Sequence, residues 1–218
     1  MRQVRFAGML LVAAALGLAA APGRAAIRFT FDHDQYLVEP GGQVSVPVYL
    51  EFTGQEMTDL EAVAGLSSAA VRLHRVDPGP GSPAFPISVA PNTLDFDDPI
   101  LVPLIAGPTP QEVGLWEFAD LTRASGVLGT VAEAGARRIA LGDFVFQGGT
   151  VLLETTRFQA ADYDPALDDT VTFTLPTTAL DSLIVPATVE ILVAPEPATL
   201  GLLALGTASL LLRRRRRR

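Results

Sequence analysis

The stretch Gln43–Phe52 reads QVSVPVYLEF and decides the fold. Apolar and polar side chains alternate along it, and the apolar ones are Val44, Val46, Val48, Leu50 and Phe52. Alternation with a period of two is typical of a β-strand that has one face in a core. Pro47 has no N–H to donate to a neighbouring strand, so we expect this strand to lie at an edge or to carry a bulge there.

Weaker copies of the same alternation occur on both sides of this stretch, separated by turn residues such as Gly41-Gly42 and Gly148-Gly149. The further candidate strands are 27–31, 36–39, 70–76, 85–89, 100–105, 113–118, 138–146, 150–154, 171–175 and 183–193. Residues 126–136 are predicted as a loop or a short helix. Short strands between turns predict an all-β fold, a single antiparallel β-sandwich over residues 26–193.

The N-terminus has the three parts of a secretory signal peptide. Arg2 and Arg5 precede an uncharged apolar run, Phe6–Ala21, and small residues follow at Gly23 and Ala25. We therefore predict a signal peptide over residues 1–25, read by the secretion translocase and cut by signal peptidase after Ala25. A retained N-terminal anchor is the alternative, but spanning helices usually need about 20 apolar residues.

The C-terminus joins a Pro-Glu-Pro motif, an apolar run and a basic block. The motif is Pro195, Glu196 and Pro197, and the run is Ala198–Leu212. The block consists of Arg213, Arg214, Arg215, Arg216, Arg217 and Arg218. Because cationic flanks stay cytoplasmic, we expect a short transmembrane helix over 198–212 with the preceding domain outside. A helix of this length spans about 22 Å, less than a hydrocarbon core of about 30 Å, so the insertion is expected to be transient.

This order of motif, short span and basic stop resembles the PEP-CTERM sorting signal, here over residues 194–218. The resemblance implies that exosortase cuts the chain near Pro195, Glu196 and Pro197, which would be a recognition site for that enzyme rather than catalytic residues. It also implies an inner-membrane intermediate followed by release to the cell surface or extracellular matrix. Proteins with this signal are associated with bacteria that make extracellular polysaccharide.

Charge is distributed very unevenly along the chain. All twenty-four acidic residues lie between Asp32 and Glu196, and only seven of the sixteen arginines lie between the signal peptide and Glu196, so the exported part, residues 26–196, carries 7 − 24 = −17. A surface of this sign does not favour nucleic acid. The chain has no cysteine, which excludes disulfides, thiolate metal sites and a cysteine nucleophile.

Two stretches of the middle resemble cohesin-like modules. Tyr36–Leu50 (YLVEPGGQVSVPVYL) is similar to their opening strand, glycine turn and alternating valines, and Ile139–Leu153 (IALGDFVFQGGTVLL) is similar to their late hairpin. The resemblance implies a jelly-roll sandwich that binds a partner, without identifying that partner.

Acidic loops are the best candidates for a ligand site. Asp162, Asp164 and Asp168, beside Asp169, offer hard oxygen ligands to calcium, although their spacing does not fit an EF-hand loop. No other cofactor is expected. His33 is expected in a solvated loop, since neighbouring side chains on an extended chain point in alternating directions.

The leading hypothesis is a non-enzymatic surface or matrix protein that binds exopolysaccharide or a surface protein. The sequence has neither a Gly-x-Ser-x-Gly motif nor a phosphate-binding glycine loop. Trp116 is the obvious sugar-stacking residue, but a lone tryptophan in an alternating strand is expected in the core. The alternatives are an extracellular carbohydrate-active hydrolase using a carboxylate pair such as Asp95 with Asp162, and a calcium-stabilised structural module.

Overall fold

The computed structural model describes residues 26–77, 83–132, 135–150 and 153–195. Ala25, Glu196 and Pro197, the predicted helix 198–212 and the arginines 213–218 lie outside these ranges. The elements are β1 (Ala26–Phe31), β2 (Gln35–Val38), β3 (Gln43–Thr53), α1 (Gln55–Ala62), β4 (Leu66–Arg75), β5 (Ala84–Pro91), β6 (Leu104–Ala106), β7 (Glu112–Phe118), β8 (Thr130–Ala132), β9 (Ala136–Gly148), β10 (Thr155–Ala161), β11 (Val171–Thr172), β12 (Ile184–Val185) and β13 (Ala187–Val193). Within the described residues, α1 is too short and too polar to cross a membrane, and no other helix meets that requirement.

The strands form two sheets, as the alternation predicts for a β-sandwich. Sheet A has the order β12-β1-β3-β9-β5, with β8 also paired to β9. Sheet B has the order β2-β13-β10-β4-β7-β6, with β11 also paired to β4. Two pairings, β1 with β12 and β2 with β13, are parallel, and the other strand pairs among the described residues are antiparallel.

The core lies between the two sheets and is rich in phenylalanine. Phe146 on β9 and Phe158 on β10 are fully buried, and their ring centroids are 4.8 Å apart, so they join sheet A to sheet B. From β3, Val46, Val48, Leu50 and Phe52 are buried as the alternation predicts. Burial of these side chains is the main stabilising contribution, since no disulfide is possible.

Pro47 does not place β3 at an edge. The strand lies between β1 and β9, and Pro47 is opposite Asp143. The register with β9 shifts one residue further on, where Val48 pairs with Gly142 and Tyr49 with Ala140. The bulge alternative is therefore the one that the structure adopts, displaced by one residue from the proline.

Two expectations about the strands need correction. Residues 130–132 form β8 rather than a loop or a helix. The strand predicted at 150–154 includes residues 151–152, which lie outside the described ranges, and the next described strand is β10, Thr155–Ala161. The strands on either side of Gly148-Gly149 do not form the expected hairpin, because β9 pairs within sheet A whereas β10 pairs within sheet B. On β10, Phe158 and Ala160 are buried, so this strand supplies core residues from the layer opposite to β9.

Candidate functional site

The outer face of sheet B presents partly exposed polar and aromatic residues of β4 and β7. On β4 and β7, Val71 and Leu115 point into the core, so the alternating residues Arg72, Gly114 and Trp116 point outward. Trp116 lies opposite Ala70 of β4 and Leu104 of β6. The expectation that Trp116 is in the core is therefore wrong, because Val113 and Leu115 take the core positions of this strand.

Trp116 belongs to a cluster of three partly exposed aromatic rings. Its ring centroid is 5.0 Å from that of Phe118 and 6.2 Å from that of Tyr163, with tilted planes. Its indole Nε1 is buried without a hydrogen-bond partner among the described residues. Tyr163 comes from the loop after β10, so the cluster joins that loop to sheet B.

A groove of about 300 Å³ opens beside this cluster. Gly114 forms its floor, and a Cβ at this position would be 2.6 Å from Cε2 of Tyr163, so the tyrosine ring lies directly on the backbone of β7. Arg72 and Glu112 line one wall, with Nη1 and Oε2 3.9 Å apart, and Asp164 lines another. The groove thus combines one aromatic surface with charged hydrogen-bonding groups.

Three carboxylates meet in the loops next to the groove. Asp162, Asp169 and Asp181 each place an oxygen within 4.8 Å of the other two. The backbone N–H of Asp164 donates to Oδ2 of Asp169 at 3.1 Å, and the N–H of Thr170 donates to Oδ1 of Asp181 at 3.0 Å. Oδ1 of Asp162, Oδ1 of Asp169 and Oδ2 of Asp181 are buried without a hydrogen-bond partner.

Burial and the neighbouring carboxyls disfavour the charged forms of Asp169 and Asp162. Burial, followed by the neighbouring Asp181 and Asp162, raises the pKa of Asp169 to about 8. Burial also raises the pKa of Asp162, with further contributions from Asp181 and Asp164, whereas Arg72 opposes this shift.

The carboxylates that lie together in the structure are not the three that the sequence predicted as calcium ligands. Asp162 lies with Asp169 and Asp181, whereas the carboxylate of Asp164 accepts the N–H of Ala166 at 3.0 Å and Asp168 is exposed. Calcium binding by Asp162, Asp164 and Asp168 stays a prediction. Asp181 was missed because it lies twelve residues beyond Asp169, at a distance that no calcium-loop spacing suggests.

The other predicted site residues lie elsewhere. Asp95, the proposed hydrolytic partner of Asp162, accepts a hydrogen bond from Nδ2 of Asn92 at 2.8 Å, in the loop after β5. His33 is exposed in the bend between β1 and β2, where its ring contacts Tyr36 edge-on. Pro195 is the last described residue of the chain, two residues beyond the end of β13.

Comparison with known proteins identifies the tail. Residues 193–217 match the PEP-CTERM protein-sorting motif. A solved chain of the type I cohesin–dockerin complex Coh-OlpC–Doc435 from Clostridium thermocellum is similar, with 11% identity and a TM-score of 0.44 over 77% of this chain and 94% of that one. No curated protein matches the sequence.

The chain therefore carries a PEP-CTERM sorting signal of the membrane-anchored exosortase type. Such a signal directs a protein through the secretion machinery to the cell surface or the extracellular space.

Proposed function

We propose that the exported sandwich is a non-enzymatic surface or matrix protein that binds a saccharide chain on the outer face of sheet B. The observation that carries this proposal is the Trp116–Phe118–Tyr163 cluster beside the groove over Gly114. In the same scheme, exosortase recognises Pro195, Glu196 and Pro197 and releases the domain from its membrane intermediate.

The chemistry of the groove suits a sugar. An aromatic ring packs against the apolar C–H face of a pyranose, and its tilted neighbours limit where that face can lie. Arg72 supplies donors, while the carboxylates of Glu112 and Asp164 accept hydrogen bonds from hydroxyl groups. A few polar groups around an apolar surface are the usual composition of a small-molecule site.

Charge narrows the class of saccharide. The exported part carries 7 − 24 = −17, so an anionic polysaccharide would be repelled at low ionic strength. The proposal is therefore a neutral segment of an exopolysaccharide. Anionic chains would bind only where divalent cations bridge the two negative surfaces.

Binding of the full-length protein, purified in detergent, to panels of neutral and anionic polysaccharides tests this function. Trp116→Ala and Tyr163→Ala should each weaken binding about tenfold or more, which corresponds to about 1.4 kcal/mol. Tyr49→Ala is the matched control, because Tyr49 is an aromatic residue on sheet A. Equal binding by all four proteins would contradict the site, and binding of no saccharide would contradict the function.

The same incubations separate binding from hydrolysis. A non-enzymatic module leaves the polysaccharide chain length and the number of reducing ends unchanged. Release of reducing ends by the wild type, lost in Asp162→Asn and in Asp95→Asn, would instead support a hydrolase.

One observation favours a protein partner as a second candidate. The segment before β6 exposes large apolar side chains, with Ile100 84% and Val102 69% accessible, and Leu104 of β6 lies opposite Trp116. Exposed apolar surface of this kind is common at protein interfaces. Ile100→Ser with Val102→Ser should leave saccharide binding unchanged but abolish capture of a surface protein.

A further inference from the structure

We infer that Asp162, Asp169 and Asp181 form a binding site for a divalent metal ion, with Ca²⁺ as the preferred ion. This site is distinct from the groove and does not rest on the saccharide proposal. It also differs from the sequence-based calcium set, because it replaces Asp164 and Asp168 with Asp169 and Asp181.

The first argument is that a fully buried carboxyl lies against two other carboxyls. Asp169 is 0% exposed, and its carboxyl has a side-chain hydrogen bond with Asp181 as well as the N–H of Asp164. Its Oδ1 accepts from no N–H or hydroxyl group of the described residues, and the carboxyls of Asp162 and Asp181 each have one buried oxygen in the same situation. An ionised carboxylate is strongly disfavoured when it is buried without compensation, and the two half-buried carboxyls beside Asp169 add repulsion. A bound cation would supply the charge that the surrounding side chains do not.

The second argument is that backbone N–H groups fix the orientation of two of the three carboxyls. The N–H of Asp164 fixes Oδ2 of Asp169, and the N–H of Thr170 fixes Oδ1 of Asp181. The backbone of Asp169 is fixed as well, because Ser68 on β4 donates its hydroxyl to the Asp169 carbonyl at 2.7 Å. Outer contacts of this kind orient metal ligands, and here they leave the second oxygen of Asp169 and of Asp181 to meet the other carboxyls of the cluster.

The third argument is that the spacing of the three carboxyl oxygens suits the bond lengths of Ca²⁺. Two oxygens on opposite sides of one Ca²⁺ ion, each at about 2.4 Å, are about 4.8 Å apart. The three carboxyl oxygens lie within 4.8 Å of one another, so one ion can reach all of them with small adjustments. Mg²⁺ requires shorter bonds in a stricter octahedron and would draw the same oxygens to within about 4.2 Å.

An ion at this position would join three separate points of the chain. Asp162 follows the end of β10, Asp169 precedes β11, and Asp181 begins the 3-10 turn before β12. Since β11 pairs with β4, the ion would tie these loops to the centre of sheet B. Tyr163 and Asp164, which line the groove, lie on the segment that starts at the first ligand.

Calorimetric titration of the chelator-treated, full-length protein in detergent with CaCl₂ and with MgCl₂ tests the site. We expect one equivalent of Ca²⁺ to bind, and Mg²⁺ to bind at least about tenfold more weakly. Asp169→Asn and Asp181→Asn should lower the calcium affinity at least about tenfold. Asp168→Asn is the matched control, because it removes the same charge from the adjacent exposed residue and should change the affinity less than about twofold.

Thermal unfolding provides a second readout that does not depend on the variants folding well. Calcium at about a hundredfold excess over Kd should raise the Tm of the wild type by roughly 5 °C or more, and EDTA should reverse the shift. No heat of binding and no shift of Tm in the wild type would overturn the site, and Asp169 and Asp181 would then share a proton. Loss of affinity in Asp168→Asn but not in Asp169→Asn would also overturn it.

Discussion

The guanidinium carbon of Arg138 lies 3.9 Å from the ring centroid of Tyr49, on the two central strands of sheet A. Both side chains also bind Asp32: the Tyr49 hydroxyl donates to Oδ2 at 3.0 Å and Nη1 of Arg138 donates to Oδ1 at 3.2 Å. Arg138 reaches Glu51 as well, with Nε and Oε2 3.8 Å apart. The exposed face of the Tyr49 ring is thus covered by the guanidinium of Arg138.

Arg138→Met should destabilise the domain by about 1–2 kcal/mol, because it removes a cation–π contact and two ion pairs while keeping most of the side-chain volume. Arg157→Met is the control. Arg157 forms one exposed pair with Glu190, at 2.8 Å, whose loss should cost less than about 1 kcal/mol. Urea unfolding measures both, and equal midpoints for the two variants would contradict the network.

The Tyr49 hydroxyl should lose its proton at an unusually high pH. Burial, followed by the hydrogen bond to Asp32, raises the pKa of Tyr49 to about 12 from its ordinary 10.0. Between these values the folded chain holds a proton that the unfolded chain releases, so the free energy of unfolding falls as pH rises from about 10 to about 12. Absorbance at about 295 nm follows tyrosinate formation. Burial raises the pKa of Tyr36 as well, so the component near pH 12 is the one that should vanish in Tyr49→Phe and move to lower pH in Asp32→Asn.

The sequence indicated the strands whose two faces differ strongly in polarity. In β3 five apolar residues alternate with polar ones, so the pattern alone defines the strand and its buried face. In β10, TTRFQAA, only Phe158 and Ala160 mark the core side, and small residues on both faces hide the period. β8 has three residues and exists because it pairs with β9, which is a tertiary cause that local propensity does not record.

The candidate sites were predictable only in composition. The acidic run around Asp162 pointed to a carboxylate cluster, but Asp181 joins it through the 3-10 turn before β12, far along the chain. Trp116 was assigned to the wrong face because β7 has apolar residues on both of its faces. The alternation of the sequence therefore does not indicate which face of β7 lies in the core. Gly114 beneath Tyr163 is recognisable only once β7 and the loop after β10 are in contact.

Glu117 should make the stability of the domain fall with rising pH. Its side chain is 0% exposed on the core side of β7, and burial raises its pKa to about 8 from 4.5, with a small opposing effect of the Asn92 backbone N–H and a reinforcing one of Asp95. The folded chain therefore binds more protons than the unfolded chain between about pH 4.5 and 8. Over this window the free energy of unfolding should fall by up to about 1.4 kcal/mol per pH unit.

Glu117→Gln keeps the shape of the protonated side chain and removes its titration. The variant should be more stable than the wild type at pH 8 and should have a clearly shallower slope between pH 5 and 8, and the slope that remains comes from Asp169, whose pKa is also raised to about 8. Glu112→Gln, on the exposed side of the same strand, removes the same charge and should keep the slope. Urea unfolding at each pH gives the comparison, and parallel curves for Glu117→Gln and the wild type would refute the assignment.

Gly114→Ala should displace Tyr163 rather than disrupt β7. The added Cβ would be 2.6 Å from Cε2 and 2.8 Å from Cδ2 of the tyrosine, closer than such atoms approach, and 3.6 Å from Cβ of Ala106, an ordinary contact. We expect a loss of about 1–3 kcal/mol from this overpacking, and weaker saccharide binding.

A double-mutant cycle isolates that contact. In a Tyr163→Ala background the same Gly114→Ala change should cost little, because the clashing ring is absent, so the coupling energy should be about 1 kcal/mol or more. Additive losses, measured by urea unfolding, would mean that Gly114 is required for a reason other than the tyrosine.

The arginines 213–218 should decide whether the tail stops in the membrane. The apolar run Ala198–Leu212 covers about 22 Å as a helix, which is short of the hydrocarbon core, so hydrophobicity alone holds it weakly. Replacing all six arginines with serine should let the tail pass through the membrane, and the protein should appear outside the cell at the size of the unprocessed form. Replacing them with lysine keeps the cytoplasmic positive charge and should preserve processing.

Mass spectrometry of the membrane and extracellular fractions distinguishes the processed form from the unprocessed form. If the serine and lysine variants are processed alike, the stop depends on the apolar helix or on the Pro-Glu-Pro motif instead of on charge.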